Sequence, residues 1–199
     1  MPSLPPFTFF DLETTGLDPK KGHRIVEIAG VRIEDGVIRK DSAFCSFVNP
    51  EREIPWEARQ VNKISDEQVR GAQTIDVVLP QFLEFAKGSI LVAHNASFDF
   101  GFLDAEKEYC WGYVELPECL CSLQLSRSLF PTEFRHSLDA LCKKYCFVMP
   151  QERHRALADT ILASEVLLKM IAQGGVRGME ELRRRAGMKQ LARNVVSRG

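Results

Sequence analysis

The sequence lacks several features that mark specialised classes of protein. Its 199 residues contain no apolar run close to the roughly 18 residues of a membrane-spanning helix, so we expect no membrane partner. Met1–Phe10 has no basic n-region, and a secretory signal is therefore not expected. Internal repeats and low-complexity segments are also missing. With 45% hydrophobic and 27% charged residues, the chain is typical of one globular domain with a sizeable core.

The six cysteines do not include a C-x-x-C pair. A zinc site built from the Cys119-x-Cys121 and Cys142-x3-Cys146 pairs would lack a histidine at suitable spacing. We therefore expect reduced, mostly buried thiols in a cytoplasmic protein.

The formal net charge of −1 does not indicate a nucleic-acid partner, but the charge is unevenly distributed. From Gly174 to Gly199, seven Arg or Lys stand against two Glu, whereas the rest of the chain carries a net charge of −6. This basic segment is either a phosphate-binding element, with Arg183 to Arg185 as the contacts, or a solvated tail or surface helix. We expect a domain over residues 1–173, followed by a basic tail or short helix over 174–199.

Hydrophobic periodicity predicts an α/β fold with a central mixed sheet of about five strands flanked by helices. Glu34-Asp35-Gly36 is a strong hairpin signal between the second and third strands. Ser65 is positioned to cap a short helical turn within the loop over residues 49–74. Strands are predicted at 7–12, 24–33, 37–48, 89–93 and 118–122. Helices are predicted at 75–86, 96–109, 137–145 and 156–173, and a further helix follows the last strand and continues to residue 130.

Acidic side chains stand beside apolar runs in three separated motifs. The motifs are Asp11-x-Glu13-Thr-Thr-Gly, His-Asn-Ala-x-Phe-Asp99 and His154-x4-Asp159. Asp11 and Glu13 lie two apart on a strand end and so point to the same face, while the other two acids lie at helix starts. Because an unpaired carboxylate is costly to bury, gathered acids at the edge of a core require a cation.

Oxygen ligands favour Mg²⁺ or Mn²⁺ over zinc, which prefers His and Cys. Two such ions suit in-line displacement at a phosphodiester, where they activate a water and stabilise the leaving oxygen. His154 precedes Asp159 by five residues and has the chemistry to take the proton of the attacking water.

The three ordered motifs resemble the DEDDh family of 3′→5′ exonucleases, which includes the proofreading epsilon subunits of bacterial replicative polymerases and stand-alone relatives. Further likeness lies in Leu125-x3-Leu129-Phe130-Pro131 and Ser137-Leu-Asp-Ala-Leu-Cys142, and the whole resemblance covers about residues 7 to 172. A histidine five before the last aspartate resembles the His branch of the superfamily. The Tyr branch would place a tyrosine at Arg155.

The resemblance implies a ribonuclease-H-like fold and stepwise hydrolysis from a single-stranded or frayed 3′ end of DNA or RNA, with DNA favoured and with a DNA polymerase subunit as a further candidate partner. It implies two divalent ions, Mg²⁺ or Mn²⁺, and release of nucleoside 5′-monophosphates. Asp11, Glu13, Asp99 and Asp159 would hold the metal ions, and His154 would be the general base. Substrate contacts would come from Thr14, Thr15, Leu17, Asn95 and Phe98.

Asn62 departs from the family pattern, since many members have a histidine at that position and a glycine at the position of Lys63. A ring that stacks on a base is then either missing or supplied by another residue. Two alternatives to an exonuclease remain: a catalytically silent nuclease-fold subunit that binds a polymerase or nucleic acid, and an endonuclease of the ribonuclease H type.

Overall fold

A mixed sheet of five strands forms the centre of the fold, which confirms the predicted α/β class. The computed structural model describes residues 4–110, 114–149 and 155–187. The strands are β1 (Phe7–Thr14), β2 (Ile25–Glu34), β3 (Val37–Phe47), β4 (Ile90–Ala93) and β5 (Cys119–Cys121). They lie in the order β3-β2-β1-β4-β5. The first three are antiparallel neighbours, whereas β4 is parallel to both β1 and β5.

Helices cover both faces of the sheet in the part of the chain that the structure describes. The predicted loop over 49–74 contains two short helices, and Ser65 caps the second of them through a capping box with Gln68. Two 3₁₀ turns lie at Pro19–Lys21 and Lys107–Cys110. The α-helices are α1 (Trp56–Asn62), α2 (Asp66–Arg70), α3 (Ile75–Phe85), α4 (Ala96–Glu106), α5 (Ser122–Leu129), α6 (Leu138–Lys144), α7 (Ala156–Gln173) and α8 (Met179–Ala186).

Side chains of β1 alternate between two hydrophobic cores. Phe7 and Phe9 pack with residues of α7, whereas Phe10 and Leu12 pack with residues of α3 and α4. Successive side chains of a strand point to opposite faces, so the odd-numbered residues of β1 all face α7. Asp11 and Glu13 therefore lie on the same face of β1 as the buried Phe7 and Phe9, just beyond the end of that hydrophobic core.

The end of β1 has a hydrogen-bonded neighbour on one side only. Its parallel pairing with β4 covers Phe7–Phe9, whereas its antiparallel pairing with β2 continues to Thr14. Beyond Phe9, the second side of β1 faces the start of α4 instead of a strand. This divergence makes room for side chains of α4 beside the first motif.

Residues 176–186 belong to the packed structure. Val176, Leu182 and Ala186 are buried in the same core as α7, and Gly187 forms a single antiparallel bridge with Leu120 of β5. The predicted short helix is thus α8, while residues 188–199 lie outside the described part of the chain.

The arginines of α8 are largely engaged by acids of the same chain. Arg183 donates to both carboxylate oxygens of Glu118 at 2.7 and 2.8 Å, and Arg185 donates to Glu181 at 2.8 Å. Arg184 is mostly exposed and lies 4.0 Å from Glu181. The local positive charge is therefore smaller than the sequence count indicates.

All six cysteines are free thiols, and four of them are buried. Within residues 4–110, 114–149 and 155–187, no helix combines the length and apolar character that a membrane crossing requires.

Candidate metal centre and nucleotide cleft

Asp11, Glu13 and Asp159 form a cluster at the end of β1. Each offers a carboxylate oxygen, and these oxygens all lie within 4.8 Å of one another. Asp11 and Glu13 point from β1 toward α7, and Asp159 comes from the first turn of that helix. Among the described residues, these three acids form the group of at least three His, Cys, Asp or Glu side chains that is close enough together to hold a metal ion. Three convergent carboxylates are a ligand set suited to a hard divalent cation.

Asp99 lies beside this cluster, in the first turn of α4, and is 3% exposed. Burial raises the pKa of its carboxyl to about 7, while hydrogen bonds from the backbone amides of Asp99 and Leu12 lower it. The Leu12 amide belongs to the part of β1 that has lost its β4 neighbour. Asp99 thus fills the gap where the two strands diverge, next to the other three acids.

The electrostatics of the cluster favour a bound cation. Burial, together with repulsion by Glu27, Asp159 and Asp99, raises the pKa of Glu13 to about 8, although Arg155 lowers it. An acid with such a pKa is mostly protonated at neutral pH, because its isolated anion is unfavourable. A divalent ion would remove that cost by compensating the gathered negative charge. The residues present therefore fit a divalent metal site.

Behind the cluster, the buried Glu27 forms an ion pair with the half-buried Arg155, which the sequence analysis did not identify. The Arg155 guanidinium donates to Glu27 at 2.7 and 3.3 Å, and the Ala156 amide donates to the same carboxylate at 3.1 Å. Glu27 lies opposite Glu13 in the β1–β2 pairing. A charged residue at an inward position of the apolar run Arg24–Ile33 was the signal that could have revealed it.

The Thr-Thr-Gly turn after β1 is held by hydrogen bonds within the chain. Thr15 is 1% exposed, and its hydroxyl accepts from the Arg24 amide at 2.9 Å and lies 3.3 Å from Nδ1 of His23. The Thr14 hydroxyl donates to the Gly16 carbonyl at 2.6 Å. Both threonine hydroxyls thus form hydrogen bonds within the chain. A ligand in this turn would therefore contact the backbone instead of these hydroxyls.

Asn62, at the position where the family resemblance would place a histidine, is 2% exposed and supports the same turn. Its amide donates to the Thr14 carbonyl at 3.3 Å, and its carbonyl accepts from the Ile64 amide at 3.0 Å. The side chain therefore has a structural function in this protein, at a position where a stacking ring was expected.

A cleft of about 570 Å³ begins at Glu13 and runs between the Thr-Thr-Gly turn, α1 and α4. Its volume lies within the range of small-ligand sites. Leu17, with 84% of its surface exposed, and the half-buried Phe98 both line it, as their predicted positions as apolar walls require. The remaining lining residues are Leu12, Thr14, Thr15, Gly16, Asp18, Lys21, His23, Pro55, Glu57, Ala58, Val61 and Asn62.

His23 also lines this cleft, a position that the sequence analysis did not indicate. Its imidazole lies directly against Gly16, where an added Cβ would stand 2.3 Å from two ring atoms. The ring contributes an aromatic surface to the cleft that Asn62 does not supply. The sequence signal, a lone histidine before the second strand, was too weak to indicate this contact.

His94 and Asn95 lie at the turn between β4 and α4. His94 is hydrogen-bonded through Nδ1 to Ser122 at 2.9 Å, and burial lowers its pKa to about 4. Asn95 is exposed and has a left-handed backbone, with φ of 66°. It does not line the cleft in the described structure. His154 lies outside the described residues.

Comparisons with known proteins agree with this geometry. The profile of the RNase_T family, described as exonuclease, matches residues 8–167. The DNA polymerase III subunit epsilon of Rickettsia conorii is 35% identical over 192 residues, which cover 94% of this chain and 82% of the relative. The corresponding subunit of Rickettsia typhi is 38% identical over 165 residues, covering 80% and 71%.

Among solved structures, exonuclease X in complex with 5′ overhanging duplex DNA superposes with a TM-score of 0.73 at 29% identity. The match covers 91% of this chain and 99% of that chain. The ribonuclease-H-like fold is thereby confirmed. The chain belongs to the RNase_T exonuclease family and, within it, to the DEDDh (DnaQ-like) 3′→5′ exonucleases.

Proposed function

We propose that this protein removes nucleotides from a single-stranded or frayed 3′ end of DNA with the help of two divalent ions. The observation that carries the proposal is that the acidic cluster and the nucleotide-sized cleft share a residue. Glu13 belongs to the cluster and also lines the cleft. A terminal nucleotide held in that cleft would present its phosphodiester to the acids. Relatives named as polymerase subunits, and a structural neighbour bound to DNA, favour DNA over RNA.

Each acid has a separate task in this proposal. Asp11, Glu13 and Asp159 would hold the ion beside the scissile bond, and Asp99 would serve the second ion from α4. When bound, the two ions would lower the pKa of the attacking water and stabilise charge on the leaving oxygen. His154, five residues before Asp159, would accept the proton of that water.

The cleft would orient the terminal nucleotide. Leu17 and Phe98 provide apolar surfaces for bases, and stacking of a base on an aromatic ring such as that of Phe98 contributes about 1–3 kcal/mol. The backbone of Thr14 and Thr15 would meet the sugar or phosphate, since their hydroxyls are engaged in the turn. Asn95, exposed at the start of α4, would contact the strand outside the cleft.

A polymerase is the protein partner that the relatives indicate. The two epsilon subunits named above are components of DNA polymerase III by name, and they align over most of this chain. We propose that the present protein acts either with such a polymerase or alone on the same kind of end.

The test is stepwise digestion of a 5′-labelled oligonucleotide with Mg²⁺ or Mn²⁺. We expect a ladder of products that shorten one nucleotide at a time, and complete loss of activity with EDTA or with Asp11→Asn. Asp35→Asn is the matched control, because Asp35 lies at the exposed tip of the β2–β3 hairpin. Internal cleavage, or activity that survives Asp11→Asn, would refute the proposal. Matched DNA and RNA strands in the same assay decide the substrate class.

The rival function is a silent subunit that binds a polymerase or nucleic acid. Against it stands the energetic cost of four neighbouring acids, two of which have pKa values raised to about 7 and 8. A protein without metal chemistry would gain stability by losing them.

A further inference from the structure

Glu27 is a buried acid that the proposed reaction does not use. It is 1% exposed and lies opposite Glu13 on the face of the sheet that α7 covers. Directly opposed residues of an antiparallel pair have Cβ atoms about 4.5–5.5 Å apart. Its oxygens are nevertheless absent from the described ligand cluster, because they accept hydrogen bonds from Arg155 and Ala156 instead.

Through these bonds, Glu27 fixes the beginning of α7. The Ala156 amide is the first of the helix, and no side chain of the helix itself caps that end. The Arg155 guanidinium also lies 5.2 Å from the ring of Phe47, on the strand beside β2. Asp159 follows one helical turn later, so its position over β1 depends on where this first turn is held.

The pair is also electrically balanced next to the cluster. Without Arg155, the Glu27 carboxylate would add a further negative charge behind the four acids of the site. Without Glu27, a positive charge would stand close to the site meant for a cation. The two losses therefore change the charge behind the site in opposite directions.

We propose that Glu27 and Arg155 are a positioning and charge-balancing pair for the metal centre. Glu27 holds the start of α7, and hence Asp159, in place, while Arg155 cancels the charge that Glu27 would add to the site. The inference rests on the proposed function only in assuming that the acidic cluster binds divalent ions.

The two single substitutions should shift metal affinity in opposite directions. Removing a nearby negative charge weakens the binding of a divalent ion, whereas removing a nearby positive charge strengthens it. Glu27→Gln should therefore weaken Mn²⁺ binding about tenfold, and Arg155→Gln should strengthen it several-fold. The double variant restores the net charge but not the hold on α7, so its affinity should lie between those of Glu27→Gln and the wild type. A purely structural function would weaken binding in both single variants.

The experiment measures Mn²⁺ binding by titration calorimetry on the full chain at fixed pH and ionic strength, with folding checked by circular dichroism. Glu106→Gln is the matched control, because Glu106 is 2% exposed and accepts from the side chain of Arg24 and the amide of Ile25. Losing that pair should lower the melting temperature without changing Mn²⁺ affinity. The kcat on an oligonucleotide should fall in both single variants while KM changes little, and Arg155→Lys should restore the affinity.

Shifts of the same sign in both single variants, or an equal shift in Glu106→Gln, would overturn the inference. If Glu27→Gln does not fold, weaker Mn²⁺ binding by Arg155→Gln overturns it alone. A different result would refute the proposed function. If the wild-type protein binds Mn²⁺ but degrades no oligonucleotide, the exonuclease proposal is wrong, whereas the binding data still test the function of Glu27 and Arg155.

Discussion

Replacing Glu13 with glutamine should stabilise the metal-free protein at alkaline pH. The pKa of Glu13 is raised from 4.5 to about 8 by burial and by the neighbouring acids Glu27, Asp159 and Asp99. Because Glu13 binds its proton more tightly in the folded than in the unfolded protein, it stabilises the folded state, and this contribution is complete only below the unfolded pKa. That contribution is lost as pH rises through about 8. Glutamine has nearly the same shape and cannot ionise.

The size of the effect follows from the two pKa values. Between pH 5 and pH 9, the wild type should lose about 4 kcal/mol of unfolding free energy that Glu13→Gln retains, as an upper limit for a partly relaxed site. Glutamine itself costs about 1–3 kcal/mol if its buried amide is unpaired, so the variant is not expected to be more stable at pH 5. The difference in pH dependence between the two proteins is therefore the informative quantity.

The assay is urea unfolding followed by circular dichroism, with EDTA, at pH 5, 7 and 9. Saturating Mg²⁺ should reverse the order at pH 9, because a ligand that binds only the folded state stabilises it by mass action. The control is Glu67→Gln on the exposed side of α2. Parallel pH profiles for wild type and Glu13→Gln, or an equal effect of the control, would refute the electrostatic account of the cluster.

Three further predictions concern the cleft and the last helix. Gly16→Ala would place a Cβ 2.3 Å from the His23 ring, so KM for an oligonucleotide should rise about tenfold while Mn²⁺ affinity stays constant. Asn62→Ala would leave the Thr14 carbonyl and a buried amide unpaired, and should lower the unfolding free energy by about 1–3 kcal/mol in urea titrations. Leu182→Ala should cost about 2–5 kcal/mol of the same quantity, because its side chain is 1% exposed in the core beneath α8.

The first and the third of these have a control in the same chain. Gly71→Ala adds a Cβ in open space and should leave KM unchanged. Val77→Ala, on an exposed part of α3, should cost much less than Leu182→Ala. A KM effect in Gly71→Ala, or no stability loss in Leu182→Ala, would contradict the packing on which these predictions depend.

The fold was predictable because its sequence signals are local. Alternating apolar residues and the Glu34-Asp35-Gly36 turn predict the first three strands, and β3 ends within one residue of its expected end. The hydrophobic periodicity that predicts α3 and α7 depends on residues three or four apart. Such spacing is visible in a sequence without knowledge of the tertiary structure.

The gathering of the acids was predictable in part, for a similar reason. Asp11 and Glu13 share one face of β1 by strand periodicity, and Asp159 falls in the first turn of a strongly periodic helix. Their convergence depends on α7 crossing β1, which the motif order of a known family indicates and the local sequence does not. The functions of these residues as metal ligands stay a prediction.

The features that the sequence did not reveal all depend on partners far away in the chain. Glu27 and Arg155 are 128 positions apart, and each alone is an ordinary charged residue. The contact between His23 and Gly16 depends on how two loops meet. The pairing of Arg183 with Glu118 was not visible in the sequence either, because the acid lies 65 positions earlier.

The coverage of β5 limits the pairing of this edge of the sheet with strands of other molecules. At that edge, the three-residue strand lies beside α8 and pairs with Gly187, so few of its backbone groups are open to another chain. The opposite edge is β3, whose exposed middle carries Arg39, Lys40 and Asp41. Charged side chains on a long edge strand oppose strand-to-strand aggregation between molecules. The two edges thus avoid self-association by different means, one through coverage and the other through charge.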